Sequence, residues 1–251
     1  MKCKRALVRP PGNNYSKCLS CHPLRNTVDL DKARKQHSAY LSTLTDIGLD
    51  IILLPPDDTH PDACFVEDCA VVYGSKALIT RMGATSRRGE EDAVEAALKD
   101  HLITKRADAP ATVEGGDVVH LSDRLICGLS QRTNAEGVRQ MSDWLEAKVD
   151  VIRDDAMMHL KSHLTYLGQE TFISTKKYAD HPALEGMKVI VVPKDEEYAA
   201  DTLTIDGTVL MPAGRKESQS LVKRAGFRVM PVEVSEFEKC DGALTCLSII
   251  F

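Results

Sequence analysis

Apolar residues recur along this chain at two spacings, and each spacing predicts a different kind of element. Where they return every third or fourth position, they predict amphipathic helices. The helices predicted in this way cover 31–47, 86–100, 133–147 and, more briefly, 176–184 and 217–225. The first is expected to end at Gly48, and Ser86 and Thr133 are expected to cap the second and third.

Short apolar runs separate these helices and predict β-strands. The runs lie at 50–54, 69–73, 77–80, 187–193, 203–205, 209–211, 226–231 and 247–251. Two pairs of runs flank the tight-turn dipeptides Gly74-Ser75 and Asp206-Gly207 and therefore predict antiparallel hairpins. The order strand–strand–helix–strand recurs about five times at roughly 40–57 residues, which favours a radially repeated α/β architecture.

A doubly wound α/β sheet is the alternative architecture. It is disfavoured because the chain contains neither a G-x-G-x-x-G nor a G-x-x-x-x-G-K-[ST] phosphate loop, and the glycines of Val113-Glu114-Gly115-Gly116-Asp117 match neither pattern. No linker or low-complexity segment divides the chain. The sequence therefore predicts one domain over residues 1–251, with 43% hydrophobic residues to fill its core.

Charge and hydropathy exclude several classes of protein. The formal net charge is −5 and no long run of Lys or Arg is present, so a nucleic-acid binder is not expected. No apolar run approaches the ~18 residues of a membrane span. The basic start, residues 1–11, lacks the long apolar segment of a signal peptide. We therefore expect a cytoplasmic protein.

The sequence contains eight cysteines. Without an export signal, reduced thiols are expected rather than a disulfide framework. Cys18 and Cys21 form a lone C-x-x-C motif, but a structural zinc site needs four ligands, usually from two such pairs, and the chain has no second pair. No metal site is therefore expected.

Two residues could carry nucleophilic and acid–base chemistry. Cys246 lies five residues from the chain end, between Gly242 and a short apolar tail. If that tail packs as a final strand, the thiol would lie at the rim of a core; the alternative is a small buried hydrophobic side chain. His159 alternates with apolar neighbours and titrates near neutrality, as a general acid–base should, although a lone histidine is more often structural.

Carboxylates and arginines lie at other predicted strand and helix ends. Glu67 and Asp68 interrupt an apolar run, and Glu114 precedes two glycines that allow close backbone approach. Arg87 and Arg132 lie at predicted helix starts, where a cation opposes the helix dipole and an anionic partner is expected. An acidic loop, a tight hairpin and solvated arginines are the structural alternatives. Together with a Cys/His pair, these groups suggest attack on the guanidinium carbon of a guanidino amino acid.

The order of these motifs along the whole chain resembles the dimethylarginine dimethylaminohydrolase family. The motifs that carry the resemblance are Phe65-Val66-Glu67-Asp68, Ser86-Arg87-Arg88-Gly89-Glu90, Glu114 with its following Gly-Asp, Gln131-Arg132-Thr133-Asn134-Ala135-Glu136-Gly137, His159-Leu160-Lys161, Glu197-Tyr198-Ala199-Ala200, Asp241-Gly242 and Cys246-Leu247-Ser248. The family belongs to the guanidine-modifying superfamily. The resemblance implies the pentein fold, a five-bladed α/β propeller around a central channel, and hydrolysis of a methylated arginine to citrulline without a cofactor.

The resemblance also implies roles for individual residues. Cys246 would be the nucleophile and His159 the general acid–base, while Glu114 would orient His159 and hold the guanidinium. At the guanidino end of the substrate, Asp62, Glu67 and Asp68 would bind the nitrogens and Phe65 would pack beside them. Arg87 and Arg132 would bind the α-carboxylate. The backbone carbonyls of Leu19 and Cys240 would bind the α-amino group, and Leu19 lies in a flap that is expected to be mobile. A homodimer is possible.

Three alternative functions stay open at this point. An arginine deiminase or an amidinotransferase would keep the Cys/His chemistry on a related guanidino substrate. A non-catalytic pentein, resembling the ribosome anti-association factor, would act by surface binding. The last is disfavoured because a binding module has no need of a nucleophile and a base together.

Overall fold

In a computed structural model, which describes residues 5–251, fifteen β-strands form five separate three-stranded sheets. The strands in chain order are β1 Arg5–Val8, β2 Asp50–Leu53, β3 Ala70–Tyr73, β4 Lys76–Ile79, β5 Ile103–Arg106, β6 Val118–His120, β7 Leu125–Leu129, β8 Val149–Arg153, β9 Leu164–Gly168, β10 Thr171–Ser174, β11 Lys188–Val191, β12 Leu203–Ile205, β13 Thr208–Pro212, β14 Arg228–Val232 and β15 Ser248–Ile250. Cys3 and the start of the basic segment lie outside the described residues.

Every sheet repeats one pairing pattern. A middle strand pairs antiparallel with the strand on one side and parallel with the strand on the other, as in β3–β4 and β4–β5. Both predicted hairpins are present, at Gly74-Ser75 and at Asp206-Gly207. Asp206 and Gly207 have φ angles of +46° and +81°, the left-handed conformation that a type I′ turn requires at both central positions.

The five sheets close into a ring because the two ends of the described chain share one sheet. Strand β1 pairs antiparallel with β15 and parallel with β2. Strands of neighbouring sheets touch one another, β15 with β3, β6 with β9 and β9 with β12. Residues of these same strands line one wide channel. The predicted five-bladed α/β propeller is confirmed.

Five α-helices lie between or after these strands in the part of the chain that the structure describes. They are α1 Leu30–Asp46, α2 Glu91–Leu98, α3 Ala135–Leu145, α4 Lys216–Arg224 and α5 Ser235–Glu238. Asn134, rather than the predicted Thr133, caps α3, because its side chain accepts the N–H of Gly137 at 2.8 Å. None of these helices is both long and apolar enough to cross a membrane.

Two predicted helices keep only about half of their predicted length or less. Helix α2 begins at Glu91 instead of Ser86 because Gly89, with a φ of +110°, interrupts the right-handed helix. The segment predicted near 176–184 contains a single 3-10 turn, Pro182–Leu184. The residue before that proline is held extended, which is the conformation that a following proline favours.

An aromatic cluster anchors the C-terminal segment to the rest of the ring. Phe237 packs against Tyr15 and Phe65, with ring centroids 5.8 and 6.4 Å apart. The same buried core includes Tyr40 of α1 and Leu247. Because burial of such side chains stabilises the fold by about 1.5–3 kcal/mol each, the tail that carries Cys246 is held firmly in place.

Candidate active site

A cavity of about 30 Å³ brings together most of the predicted site residues. Its lining consists of Leu19, Asp62, Phe65, Asp68, Arg87, Arg132, Met158, His159, Cys240, Asp241, Gly242 and Cys246. The thiol and the imidazole that the sequence singled out therefore face the same space. Glu67 and Glu114 are the two predicted residues that do not line it.

Cys246 lies in a 3-10 turn, Thr245–Leu247, that leads into the predicted final strand. The buried hydroxyl of Tyr40 holds both flanks of this turn, since it lies 3.4 Å from the carbonyl oxygen of Leu244 and 2.7 Å from Oγ of Ser248. Burial raises the pKa of the Cys246 thiol well above its ordinary value, and nearby carboxylates raise it further. At neutral pH the resting thiol is therefore protonated.

His159 lies against two buried carboxylates. Its Nε2 is 2.7 Å from Oε2 of Glu114 and 3.7 Å from Oδ1 of Asp68. Burial disfavours the imidazolium, but Asp68 and Glu114 favour it more strongly and raise the pKa of His159 to about 9. The imidazole therefore carries a proton at neutral pH. Glu114 is fully buried behind the ring and contacts His159 but does not line the cavity. Its orienting role stays a prediction, and the predicted contact with a guanidinium is not seen in this geometry.

The Glu114-Gly115-Gly116-Asp117 motif assembles these groups by close packing. A Cβ on Gly116 would lie 2.8 Å from both Oδ1 of Asp68 and the ring of His159, so only glycine fits there. Its N–H donates to Asp68 at 2.9 Å. Asp117 accepts the N–H of Leu160 at 3.0 Å and so holds the turn after His159. Sequence reasoning assigned Asp117 no role, although its place in this motif was an available signal.

Arg87 lines the cavity, but protein acceptors occupy most of its guanidinium. Nη1 donates to Asp68 at 2.7 Å, and Nε and Nη2 donate to Glu90 at 3.1 and 2.8 Å. Burial raises the pKa of Glu90 to about 7, although the positive charge of Arg87 lowers it. Arg87 is thus the counter-ion of these two carboxylates. Its contact with a substrate carboxylate stays a prediction.

Arg132 differs from Arg87 because one of its N–H donor groups has no acceptor in the part of the chain that the structure describes. Its Nη1 is buried and makes no hydrogen bond to any of residues 5–251. Oε1 of Glu114 lies 3.8 Å from it, too far for a direct bond. Because a buried N–H without a partner is costly, this group is available to an anion that enters the cavity.

Glu67 was predicted to bind the guanidino nitrogens, but the structure does not bring it into the small cavity. Its carboxylate lies 2.5 Å from Nζ of Lys161, and both residues line the wide channel, whose volume is about 870 Å³. Glu67 and Asp68 are consecutive in the 3-10 turn Val66–Cys69, where neighbouring side chains point about 120° apart. Asp68 therefore reaches the small cavity and Glu67 does not.

Ligand atoms of Asp68, Glu114 and His159 all lie within 4.8 Å of one another, a spacing that a metal ion could bridge. Arg87 already occupies this cluster, with Nη1 2.7 Å from Asp68 and 3.9 Å from Glu114. The positive charge of Arg87, so close to these ligand atoms, would strongly repel a metal cation bound there. We interpret the cluster as a charge network that holds the His159 proton.

The prediction of reduced thiols is wrong for two of the cysteines. Cys18 and Cys240, 222 residues apart in sequence, form a disulfide. Their Cα atoms are 5.9 Å apart, the usual separation for such a bond. Among the described residues, Cys21, Cys64, Cys69, Cys127 and Cys246 are free thiols. The prediction followed from the expected compartment, and a compartment says nothing about two particular sulfur atoms that the fold brings together.

The disulfide fastens residues 16–23, the flap, over the cavity. The Leu19 N–H also donates to both oxygens of Asp62 at 3.1 and 3.2 Å, and the Cys21 N–H donates to Asp241 at 2.8 Å. A cavity of about 30 Å³ has room for about two water molecules. The cavity is therefore too small for an amino acid while the flap holds this position.

Releasing this disulfide should expose the nucleophile. In Cys18→Ser, the flap keeps its hydrogen bonds but loses its covalent tether. Iodoacetamide should then alkylate Cys246 roughly tenfold faster. This increase corresponds to a free energy of flap opening that is lower by about 1.4 kcal/mol. The measurement is tandem mass spectrometry without a reductant, which resolves modification of Cys246 from modification of Cys240, whose thiol this variant frees. Cys21→Ser, which keeps the tether, is the matched control, and equal alkylation of Cys18→Ser and the unmodified protein would show that the tether does not limit access.

Comparison with known proteins identifies the family. The family described as "N,N dimethylarginine dimethylhydrolase, eukaryotic" matches residues 11–247. The chain belongs to the dimethylarginine dimethylaminohydrolase family. A relative from Pseudomonas aeruginosa, named N(G),N(G)-dimethylarginine dimethylaminohydrolase, is 37% identical over 253 residues, which cover 99% of each chain.

Two solved structures of dimethylarginine dimethylaminohydrolase match nearly the whole fold. One is a cysteine-to-serine variant from Pseudomonas aeruginosa complexed with citrulline; it is 36% identical, has a TM-score of 0.96 and is matched over 100% of both chains. The other is a histidine-to-glycine variant that carries an adduct with S-methyl-L-thiocitrulline; it is 36% identical, has a TM-score of 0.95 and is matched over 99% of this chain and 100% of its own. The family resemblance stated from the sequence motifs is therefore confirmed.

Proposed function

We propose that this protein hydrolyses Nω-methylated arginine to citrulline and dimethylamine or methylamine through a covalent intermediate on Cys246. The observation that carries the proposal is the shared cavity of Cys246 and His159, walled by the carboxylates of Asp62 and Asp68 and by the free donor of Arg132. A guanidinium fits the carboxylates and an α-carboxylate fits the arginine. The names of the family's relatives and the citrulline complex support the same substrate class.

The charges around the cavity explain how a protonated thiol could become a nucleophile. Burial opposes ionisation of Asp68, but His159 and Arg87 outweigh it and lower the pKa of Asp68 to about 2. A guanidinium held against this carboxylate places a positive charge beside Cys246. That charge lowers the thiol pKa, so substrate binding itself favours release of the thiol proton to solvent.

The remaining steps follow from the two reactive groups. The thiolate attacks the guanidinium carbon, and the bond from that carbon to the methylated nitrogen breaks as the His159 imidazolium gives its proton to the departing amine. A thiouronium is left on Cys246. The now neutral imidazole takes a proton from a water molecule that attacks the same carbon. The carbon–sulfur bond then breaks as the carbonyl of citrulline forms and the hydroxyl proton of the adduct leaves to solvent, which releases citrulline and restores the thiolate.

Product analysis tests the proposed function directly. The protein should convert asymmetric dimethylarginine to citrulline and dimethylamine, and monomethylarginine to citrulline and methylamine. Much faster release of ammonia from unmethylated arginine would instead assign an arginine deiminase. A requirement for an amine acceptor would assign an amidinotransferase. Separation of ammonia, methylamine and dimethylamine by chromatography distinguishes these outcomes.

Arg132→Ala should mainly weaken substrate binding. A hydrogen bond to a charged group contributes about 1.5–3 kcal/mol, so KM should rise roughly 10–100-fold while kcat changes much less. Steady-state kinetics with dimethylarginine provides both values. Arg139→Ala removes an exposed arginine that pairs with Glu136 and Asp143 on α3 and should leave KM unchanged. An unchanged KM in Arg132→Ala would exclude this arginine as the carboxylate ligand.

The other expectations from the sequence complete the proposal. The single-domain organisation over residues 1–251, the cytoplasmic location and the possible homodimer stay predictions. Size-exclusion chromatography with light scattering would measure the assembly state.

A further inference from the structure

A buried carboxylate that the proposed reaction does not use lies directly behind the nucleophile. Asp201 is only 2% exposed and lines neither cavity. Its Oδ1 accepts the N–H of Thr245 at 3.2 Å, and its Oδ2 accepts the hydroxyl of the same threonine at 3.3 Å. Thr245 immediately precedes Cys246 and begins its 3-10 turn. The carboxylate therefore holds the backbone and the side chain of the residue that leads into the sulfur.

Strand β9 holds Asp201 itself from both sides. The hydroxyl of Thr165 donates to the carbonyl of Ala200 at 2.7 Å, and its oxygen accepts the N–H of Thr202 at 3.3 Å. A continuous path of hydrogen bonds thus runs from β9 through 200–202 to Thr245. A carboxylate fixed in this way can define the position of the turn, because neither end of the path is free to move in solvent.

Among residues 5–251, no Lys, Arg or His side chain forms a salt bridge with Asp201. Lys161 lies nearby but is engaged by Glu67 at 2.5 Å. Burial, with the charge of Glu67, raises the pKa of Asp201 to about 7, so this carboxylate changes charge near neutral pH. Tyr40 and Tyr198 also face it, but burial raises the pKa of both, so they stay neutral in this range.

We propose that Asp201 is a positioning residue for Cys246. Its two hydrogen bonds set the turn that aims the sulfur into the cavity, and its negative charge disfavours the thiolate until a guanidinium binds. The inference rests on the proposed function, because it explains how the same thiol stays protonated before substrate arrives. Its effect on the thiol can nevertheless be measured without any substrate.

Asp201→Asn tests the effect of the charge, because asparagine has the same shape and keeps one acceptor oxygen. In the free protein at about pH 8, iodoacetamide should alkylate Cys246 about tenfold faster in this variant, since a thiol pKa lowered by one unit gives about ten times more thiolate. Below about pH 6 the two proteins should react alike, because the wild-type carboxylate is then largely protonated. Peptide mapping separates Cys246 from the exposed Cys21.

Asp201→Ala and Thr245→Val test the hydrogen bonds. Asp201→Ala loses both bonds and should lower kcat roughly tenfold or more, whereas Thr245→Val loses only the hydroxyl bond and should lower kcat less. KM should change little in either variant, because Asp201 does not line the cavity. Thermal melts show whether each variant is folded at the assay temperature.

Two results would overturn the proposal. One is a rate of Cys246 alkylation that is the same in Asp201→Asn and in the wild type at every pH. This result would count against the proposal even if the variant were less stable. The other is a KM that rises while kcat holds, which would make Asp201 a substrate-binding group. The alkylation assay contains no substrate, so it remains decisive if product analysis assigns a different guanidino substrate.

Discussion

Cys246→Ser should abolish turnover, with a loss in kcat on the order of 10⁴–10⁶-fold. A serine hydroxyl has a far higher pKa than a thiol, so the charge of a bound guanidinium that ionises Cys246 would leave an alcohol protonated. The carboxylates and arginines of the cavity are untouched. The variant should therefore still bind citrulline in a calorimetric titration while it releases none from dimethylarginine.

Cys21→Ser is the matched control for this substitution. Its thiol is exposed, free and absent from the lining of the cavity, so this variant should turn over like the wild type. Near-normal activity in Cys246→Ser would remove Cys246 from the nucleophilic role. The covalent mechanism would then fail, although the fold and the family would stand.

His159→Gly should lower kcat by roughly 10²–10⁴-fold, the usual contribution of a positioned general acid–base. The wild-type rate should also fall as the pH rises through about 9, because the proton that His159 gives to the leaving amine is lost there. In the variant this alkaline limb should disappear. Rate measurements between about pH 6 and pH 10 test both expectations.

His163→Ala controls for the loss of a nearby imidazole. His163 lines neither cavity and packs beside Tyr178, with ring centroids 5.3 Å apart. Its removal should leave kcat and the alkaline limb in place. If His159→Gly kept both the rate and the limb, a different group would have to protonate the amine.

The fold could be predicted because its signals are local. The hairpin at Asp206-Gly207 needs two left-handed residues, and the dipeptide supplies them. Helix α1 follows from apolar spacing and ends one residue from its predicted end. The start of α2 was predicted wrongly because Gly89 has a left-handed φ. That residue divides a segment whose apolar spacing is continuous with a helix from Ser86.

The site was predicted in its residue types better than in its contacts. Cys246 and His159 share a cavity, as expected. Which of two consecutive carboxylates reaches that cavity depends on the rotation of a 3-10 turn, for which the sequence contains no signal. Spacing alone therefore could not show that Asp68 lines the cavity and Glu67 does not. The pairing of Arg87 with Glu90 likewise depends on the burial of both side chains, which the spacing of the residues in the sequence does not reveal.

The bond between Cys18 and Cys240 links the cover over the nucleophile to the redox state of the surroundings. Attack by Cys246 needs a reduced sulfur, and the bond between the other two sulfurs ties the flap over the cavity that this sulfur lines. A dithiol that donates two electrons to that bond breaks it, releases the tether and leaves both cysteines as thiols. Under oxidising conditions the tether stays in place, and the flap covers the buried sulfur of Cys246.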